Sequence, residues 1–162
     1  MASAIVALAN LTLSSAQASV TFASIPTSGY RDVRLVVNAA TSAEGNINIQ
    51  VNSDTGSNYV QINMRGSGGG AQSSSGTSTY IQSNYSTGLQ TSSRAINTYD
   101  FMDSNATDKH KTILIRANHP DEVDALAGRW ASTSAITSIK VSSGGGNFTI
   151  GSTFALYGIV SA

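Results

Sequence analysis

Histidine and carboxylate side chains gather in one part of the sequence and are the first candidates for chemistry. His110 and His119 are the two imidazoles of the chain, nine residues apart. A zinc site would need a third ligand, such as Asp121 or Asp124, to converge with both of them. The alternative is that the two histidines lie at the solvated ends of a strand that contains Ile113. We predict this second arrangement, with no bound metal and no cofactor.

Aromatic side chains offer a second kind of site. The chain has one tryptophan, Trp130, and six tyrosines. A flat ring on the surface can stack against a sugar ring, which makes Trp130 a candidate for saccharide binding. Most of these aromatics are expected to anchor the core or an interface instead, because they bury a large area and keep a polar tip.

Motifs that carry catalysis are missing from the sequence. It contains no G-x-S-x-G, H-E-x-x-H, Walker A or G-x-G-x-x-G pattern, and no cysteine that could act as a nucleophile. The glycine runs at 68–70 and 144–146 lack the strand, helix and lysine that let glycines hold a phosphate. We therefore predict that the protein is not an enzyme and has no catalytic residues.

The composition predicts strands and turns. Serine and threonine make up 42 of the 162 residues, beside 12 asparagines and 15 glycines. Threonine and valine fit a pleated surface, while serine, asparagine and glycine favour tight turns. The length suits a single domain, 1–162. Charged residues make up only 11% of the chain and the net charge is zero, so no basic face is expected to bind nucleic acid. No apolar run is long enough to cross a membrane.

Alternation of apolar and polar residues locates the strands. The runs 47–51 and 59–64 alternate without a break, and the turn at 52–56 between them predicts a β-hairpin. Residues 66–93 are rich in glycine and serine and are predicted to form a long loop, or a weak strand between loops. Further short strands are predicted at 20–22, 32–37, 96–102, 112–117, 123–130, 136–141, 148–150 and 153–159.

The spacing of these strands predicts the fold class. Short strands recur at even intervals with turn signals between them, which is typical of a β-sandwich or a jelly roll. Residues 112–115 and 154–157 are apolar on both faces, as expected for central strands between two packed layers. We predict an all-β, antiparallel, jelly-roll-like sandwich.

Three long stretches carry no charge: 1–30, 66–93 and 141–162. A β protein usually protects its sheet edges with lysine or proline, yet this chain has three lysines and two prolines. Interface cores are depleted in charge, so we expect the uncharged stretches to face partner subunits of a homotrimer or a shell protein. The alternative is that hydroxyl-rich surfaces are soluble enough alone. The residues expected at this capsid or subunit interface are Ile5, Val6, Leu8, Leu11, Leu13, Tyr80 and Tyr85, with 1–18 as an N-terminal strand or docking arm.

Both ends of the chain resemble small virion structural proteins of tailed bacteriophages. Residues 20–26 and 30–36 are similar to the opening of such proteins, and 147–159 resembles their closing strands. Residues 66–130 have no counterpart in this resemblance. It implies a jelly-roll-like sandwich, commonly trimeric, that serves as capsid cement or decoration or as a tail and fibre component. It transfers no catalytic residue.

These observations together predict a non-enzymatic virion protein. We expect a cement or decoration protein that stabilises the major capsid shell, and a location on the capsid surface rather than on the tail. Its partners would be copies of itself, the major capsid protein or other virion proteins, with no nucleic acid and no membrane. The alternative is a tail-fibre or receptor-binding head that recognises host surface polysaccharide through Trp130 and exposed tyrosines.

Overall fold

The computed structural model describes residues 4–83 and 88–160, and these form twelve β-strands. The strands are β1 (Ile5–Thr12), β2 (Ser19–Phe22), β3 (Asp32–Ala39), β4 (Ile47–Val51), β5 (Tyr59–Ser67), β6 (Gly70–Ser78), β7 (Ile81–Ser83), β8 (Ala95–Met102), β9 (Lys111–His119), β10 (Glu122–Trp130), β11 (Ile139–Ser143) and β12 (Thr153–Ile159). Within these two ranges there is no helix that would be long and apolar enough to span a bilayer.

The strands lie in two antiparallel sheets. One has eight strands in the order β1-β12-β3-β8-β9-β10-β5-β6, and the other has four in the order β2-β11-β4-β7. Four strand pairings are nested, each linking a strand of the N-terminal half to one nearer the C-terminus: β1 with β12, β2 with β11, β3 with β8 and β4 with β7. A long hairpin rolled into two facing sheets has this connectivity, which is that of a jelly roll. The predicted all-β, antiparallel, jelly-roll-like sandwich is confirmed.

Two inserted strand pairs enlarge one of the sheets. The pair β5–β6 follows β4, the pair β9–β10 follows β8, and together they continue the eight-stranded sheet beyond β8. The four-stranded sheet ends at β7, and β6 is exposed along nearly its whole length. The inserted part of the large sheet is therefore only partly covered.

The core lies between the two sheets. Leu35 and Phe154 enter it from the large sheet and Ile49 and Val141 from the small one, and all four are buried. Alternate residues of β9 and β10 are buried and exposed, which gives the large sheet one inner and one outer face. Removal of the inward apolar side chains from water is the main stabilising contribution to this arrangement.

The hairpin predicted between 47–51 and 59–64 is wrong. β4 pairs with β11 and β7, whereas β5 pairs with β10 and β6 in the other sheet. Asn52 has a φ of 52° directly after β4, where the chain leaves the four-stranded sheet. The hydroxyl of Tyr59 reconnects the two strands by accepting the Val51 N–H at 3.0 Å. Alternation of apolar and polar residues specifies which face of a strand is buried, but not which strand pairs with it. Two strands that are adjacent in the sequence therefore show the same pattern whether they pair in one sheet or lie in facing sheets.

The interpretation of 66–93 as a loop or weak strand is corrected as well. The first residues belong to β5, and β6 pairs with β5 along its whole length, from Tyr59 opposite Ser78 to Ser67 opposite Gly70. The side chains of β6 are small and exposed, so they leave no apolar alternation to read. The strand predicted at 148–150 is reduced to isolated bridges of Phe148.

Candidate functional site

The two histidines do not form a joint site. His110 immediately precedes β9 and His119 ends it, so they lie roughly 30 Å apart at about 3.4 Å per strand residue. His110 is exposed as predicted, but the side chain of His119 is only 2% exposed, and its Nδ1 accepts the Asp121 N–H at 3.2 Å. In the described ranges, no group of three or more His, Asp or Glu side chains is placed to hold a metal ion.

Trp130 is an internal anchor, which corrects its interpretation as a saccharide platform. It is 2% exposed, so no face of the indole is open to a sugar. Its Nε1–H donates to Oδ2 of Asp54 at 2.7 Å, which ties the end of β10 to the turn after β4. The side chain of Asn58 and the N–H of Gly56 donate to the same carboxylate at 2.9 Å each. The indole bond is the main cause that holds the pKa of Asp54 below its ordinary value. Burial opposes it, and the bonds from Asn58 and Gly56 add smaller lowering effects.

Buried Lys111 also has a structural role. Its Nζ donates to the carbonyl oxygens of Lys109 at 2.8 Å and Thr133 at 3.3 Å, although the residue is completely buried. Burial lowers the pKa of this amine. These contacts fix the loop before β9 to the loop after β10.

The predicted N-terminal arm is the edge strand β1, which pairs with β12. Ile5 and Leu11 are 50% and 39% exposed, and Val6 and Leu8 are half-buried. Leu13 is 3% exposed and belongs to the chain's own core, so its expected docking role is corrected. The pairing with β12 makes this segment part of the sandwich, with apolar residues still open at the sheet edge.

The two tyrosines expected at an interface have different outcomes. Tyr80 is half-buried and lines a polar groove between β6 and β7. Tyr85 lies outside the described residues.

The outer face of the eight-stranded sheet carries most of the exposed large apolar side chains of the described residues. These side chains are Ile62, Met64, Ile96, Leu114 and Val123, which are 45–64% exposed. We call this surface the outer face. Arg116 and Asn118 lie on the same side of β9 as Leu114, so the outer face is mixed, and its apolar part is a candidate interaction surface.

Small residues between large ones give the outer face a shallow depression. Leu114, Ala127 and Ile62 stand opposite one another on β9, β10 and β5, and in the adjacent row Ala125 stands opposite Met64. The depression has a volume of about 530 Å³. Alanines form part of its lining beside Met64 and Leu114, and this apolar part can receive an apolar group from another molecule. The lining also includes polar residues: Arg34, Thr98, Asp100 and Arg116.

An ion pair borders this depression. Nε and Nη2 of Arg34 donate to the two carboxylate oxygens of Asp100 at 2.5 and 3.1 Å, across the β3–β8 pair. The hydrogen bond to Asp100 is the main cause that raises the pKa of Arg34. The pair neutralises the charges of both residues where the apolar part of the outer face ends.

Sequence reasoning missed the outer face. Strand 112–115 is apolar on both sides, and its second apolar side was assigned to a packed layer. In the structure Ile113 and Ile115 enter the core while Leu114 faces outward. The apolar character of Leu114 is visible in the sequence. The sequence does not show whether the second apolar side of a strand packs inside the fold or is exposed on its surface.

Comparison with known proteins gives limited similarity. The sequence matches no protein-family model and no curated protein. An exo-inulinase from Aspergillus awamori aligns with 96% of this chain and 29% of its own length, at 10% identity and a TM-score of 0.46. A mutant of the alginate lyase Aly36B in complex with an alginate tetrasaccharide aligns with 94% of this chain and 74% of its own, at 8% identity and a TM-score of 0.29. The chain thus spans less than a third of the exo-inulinase, and identities this low transfer no activity.

Proposed function

We propose that the chain is a non-enzymatic virion structural protein of a tailed bacteriophage, and that it serves as a cement or decoration protein of the capsid. Copies associate through the outer face into a homotrimer. This interface differs from the one expected on the uncharged stretches 1–30, 66–93 and 141–162, because most exposed large apolar side chains of the described residues lie on the outer face instead. The trimer then stabilises the major capsid shell by burying surface against it, and the repeated lattice adds avidity to each contact.

The outer face is the observation that carries this proposal. Ile62, Met64 and Leu114 are each about half exposed, yet they lie in neighbouring cross-strand rows around a depression floored partly by alanine. Burial of such side chains in an interface contributes roughly 25 cal/mol per Å² of apolar area removed from water. A partner that covers this face gains that free energy without any rearrangement of the sheet.

The resemblance to phage virion proteins supports the proposal in a second way. Its two stretches stand at opposite ends of the sequence, and β3 pairs with β12 from Asp32 opposite Ile159 to Asn38 opposite Thr153. The matched stretches 30–36 and 147–159 therefore contribute neighbouring strands of one sheet, whereas 20–26 includes β2 of the facing sheet. A shared scaffold is a simpler reason for both similarities than two unrelated coincidences.

The alternative, a receptor-binding head that uses Trp130, has less support. The buried indole cannot present a face to a host polysaccharide. A receptor-binding role would need another surface.

Mass measurement in solution tests the assembly. Light scattering after gel filtration should give three times the chain mass of 16.7 kDa. Leu114→Asp places a charge on the outer face and should yield monomers with an unchanged circular dichroism spectrum. Ile150→Asp is the matched control, because Ile150 is 63% exposed but lies in the turn before β12.

Co-sedimentation with expanded capsids tests the location. The wild-type protein should pellet with capsids, and Leu114→Asp should bind them much more weakly because its avidity is lost. A wild-type protein that stays monomeric at high concentration and leaves capsids unbound would overturn the proposal.

A further inference from the structure

A polar groove lies between the inner face of β6 and the edge of β7. Its volume is about 280 Å³. None of the residues that line it, all of them in the described ranges, carries a formal charge. The lining residues with the clearest chemical roles are Gln61, Ser74, Gly76, Ser78, Tyr80 and Gln82.

The groove exists because the two sheets end at different places. β7 is the last strand of the small sheet, while the large sheet continues through β5 to β6. Ser78 and Ser74 stand opposite Tyr59 and Asn63, which are buried on the inner side of β5. Residues directly opposite each other share a face, so these serines are on the groove side of β6.

One wall of the groove is held rigid by carboxamide side chains. Nε2 of Gln61 donates to the carbonyl of Gln82 at 3.2 Å, and its Oε1 accepts the Gln82 N–H at 2.7 Å. Nε2 of Gln50 donates to the carbonyl of Thr79 at 3.1 Å, beside Tyr80. A ligand would therefore meet a preorganised wall, which reduces the entropy lost on binding.

We propose that this groove binds a neutral saccharide. Serine hydroxyls and glutamine carboxamides both donate and accept hydrogen bonds, which matches the hydroxyl groups of a sugar. The ring of Tyr80 adds an apolar surface for the C–H face of a sugar and keeps a polar tip. An acidic or phosphorylated ligand would find no cationic partner in the lining.

The size of the groove limits the ligand to a short segment. Its volume is near the lower end of the roughly 300–1,000 Å³ typical of ligand sites. The groove also opens on the side of the sheet opposite the outer face, so saccharide binding does not depend on the proposed assembly.

An array of immobilised oligosaccharides tests the proposal with the full-length protein. The array carries neutral gluco-, galacto- and manno-oligosaccharides beside uronic-acid and sialic-acid ones. We expect binding to at least one neutral compound, whose affinity is then measured by calorimetry. Tyr80→Ala should weaken it roughly tenfold, because stacking of a sugar on the aromatic ring is lost.

A groove-filling variant gives an independent test. A Cβ added at Gly76 meets no other atom within 4 Å, so the side chain of Gly76→Val enters open space in the groove, narrows it and should strongly weaken binding. Gly68→Val, in the β5–β6 turn where a Cβ also meets nothing, is the matched control and should bind like the wild type. Binding to acidic oligosaccharides alone, no binding at all, or affinities that neither Tyr80→Ala nor Gly76→Val changes would each overturn the proposal.

Discussion

The ring of Tyr30 lies directly on Gly158. A Cβ built at Gly158 would be 2.5 Å from Cγ and 2.8 Å from Cε1 of that ring, closer than atoms can pack. Tyr30 precedes β3 and Gly158 is near the end of β12, and these two strands pair. The contact therefore joins segments from the two ends of the sequence, and the missing side chain of Gly158 makes room for the aromatic ring.

Gly158→Ala should reduce the free energy of unfolding by about 1–3 kcal/mol, because the added methyl group displaces the Tyr30 ring. Urea unfolding followed by fluorescence of the single tryptophan measures this change. In a Tyr30→Ala background the same substitution should be much less destabilising, since the clash is gone. Equal effects in both backgrounds would contradict the contact.

The bond between Trp130 and Asp54 should make stability depend on acid pH. The pKa of Asp54 is lowered in the folded chain from its ordinary 3.8, so its contribution is present above pH 3.8 and is lost as the pH falls through the folded pKa. Asp54→Asn should make the free energy of unfolding depend less on pH in this acid range. Urea midpoints from neutral pH downward, read by circular dichroism, measure this dependence.

Buried tyrosines should weaken the fold at alkaline pH. Burial raises the pKa of Tyr59 to about 12 and raises that of Tyr99 as well, against the opposing hydrogen bond of Ser83 to Tyr99. Their contribution is complete below pH 10, the ordinary value, and is lost above it as the unfolded chain releases protons that the folded chain retains. Lys111 acts with the opposite sign, because its pKa is lowered.

Tyr99→Phe isolates one of these contributions. The variant should lose about 1 kcal/mol at neutral pH with the hydrogen bond to Ser83, and should show a shallower decline above pH 10 than the wild type. Because Lys111 is present in both proteins, its effect cancels in the comparison. Parallel alkaline profiles for the two proteins would refute the assignment.

Assembly through the outer face should be sensitive to the size of the side chain at position 127, in the depression. Ala127→Arg fills the space between Leu114 and Ile62 and should raise the protein concentration needed for assembly by roughly tenfold or more. Sedimentation velocity over a dilution series measures the shift. Ala16→Arg, in the exposed loop after β1, is the control and should assemble like the wild type.

The fold class and the inward face of the regular strands can be predicted from the local sequence. In β4 a strict period of two places Ile49 in the core, and this residue is fully buried. A period of two follows from strand geometry and needs no knowledge of neighbours. This pattern could not predict β6. The strand pairs regularly with β5, but its polar side chains show no apolar alternation.

Which strands pair and which apolar residues are covered depend on the three-dimensional packing of the chain. β4 and β5 belong to different sheets, Trp130 and Leu13 are buried, and Leu114 is exposed although its neighbours in sequence are equally apolar. The groove beside Tyr80 likewise depends on where each sheet ends. These outcomes follow from contacts between residues far apart in the chain, and local alternation contains no information about such partners.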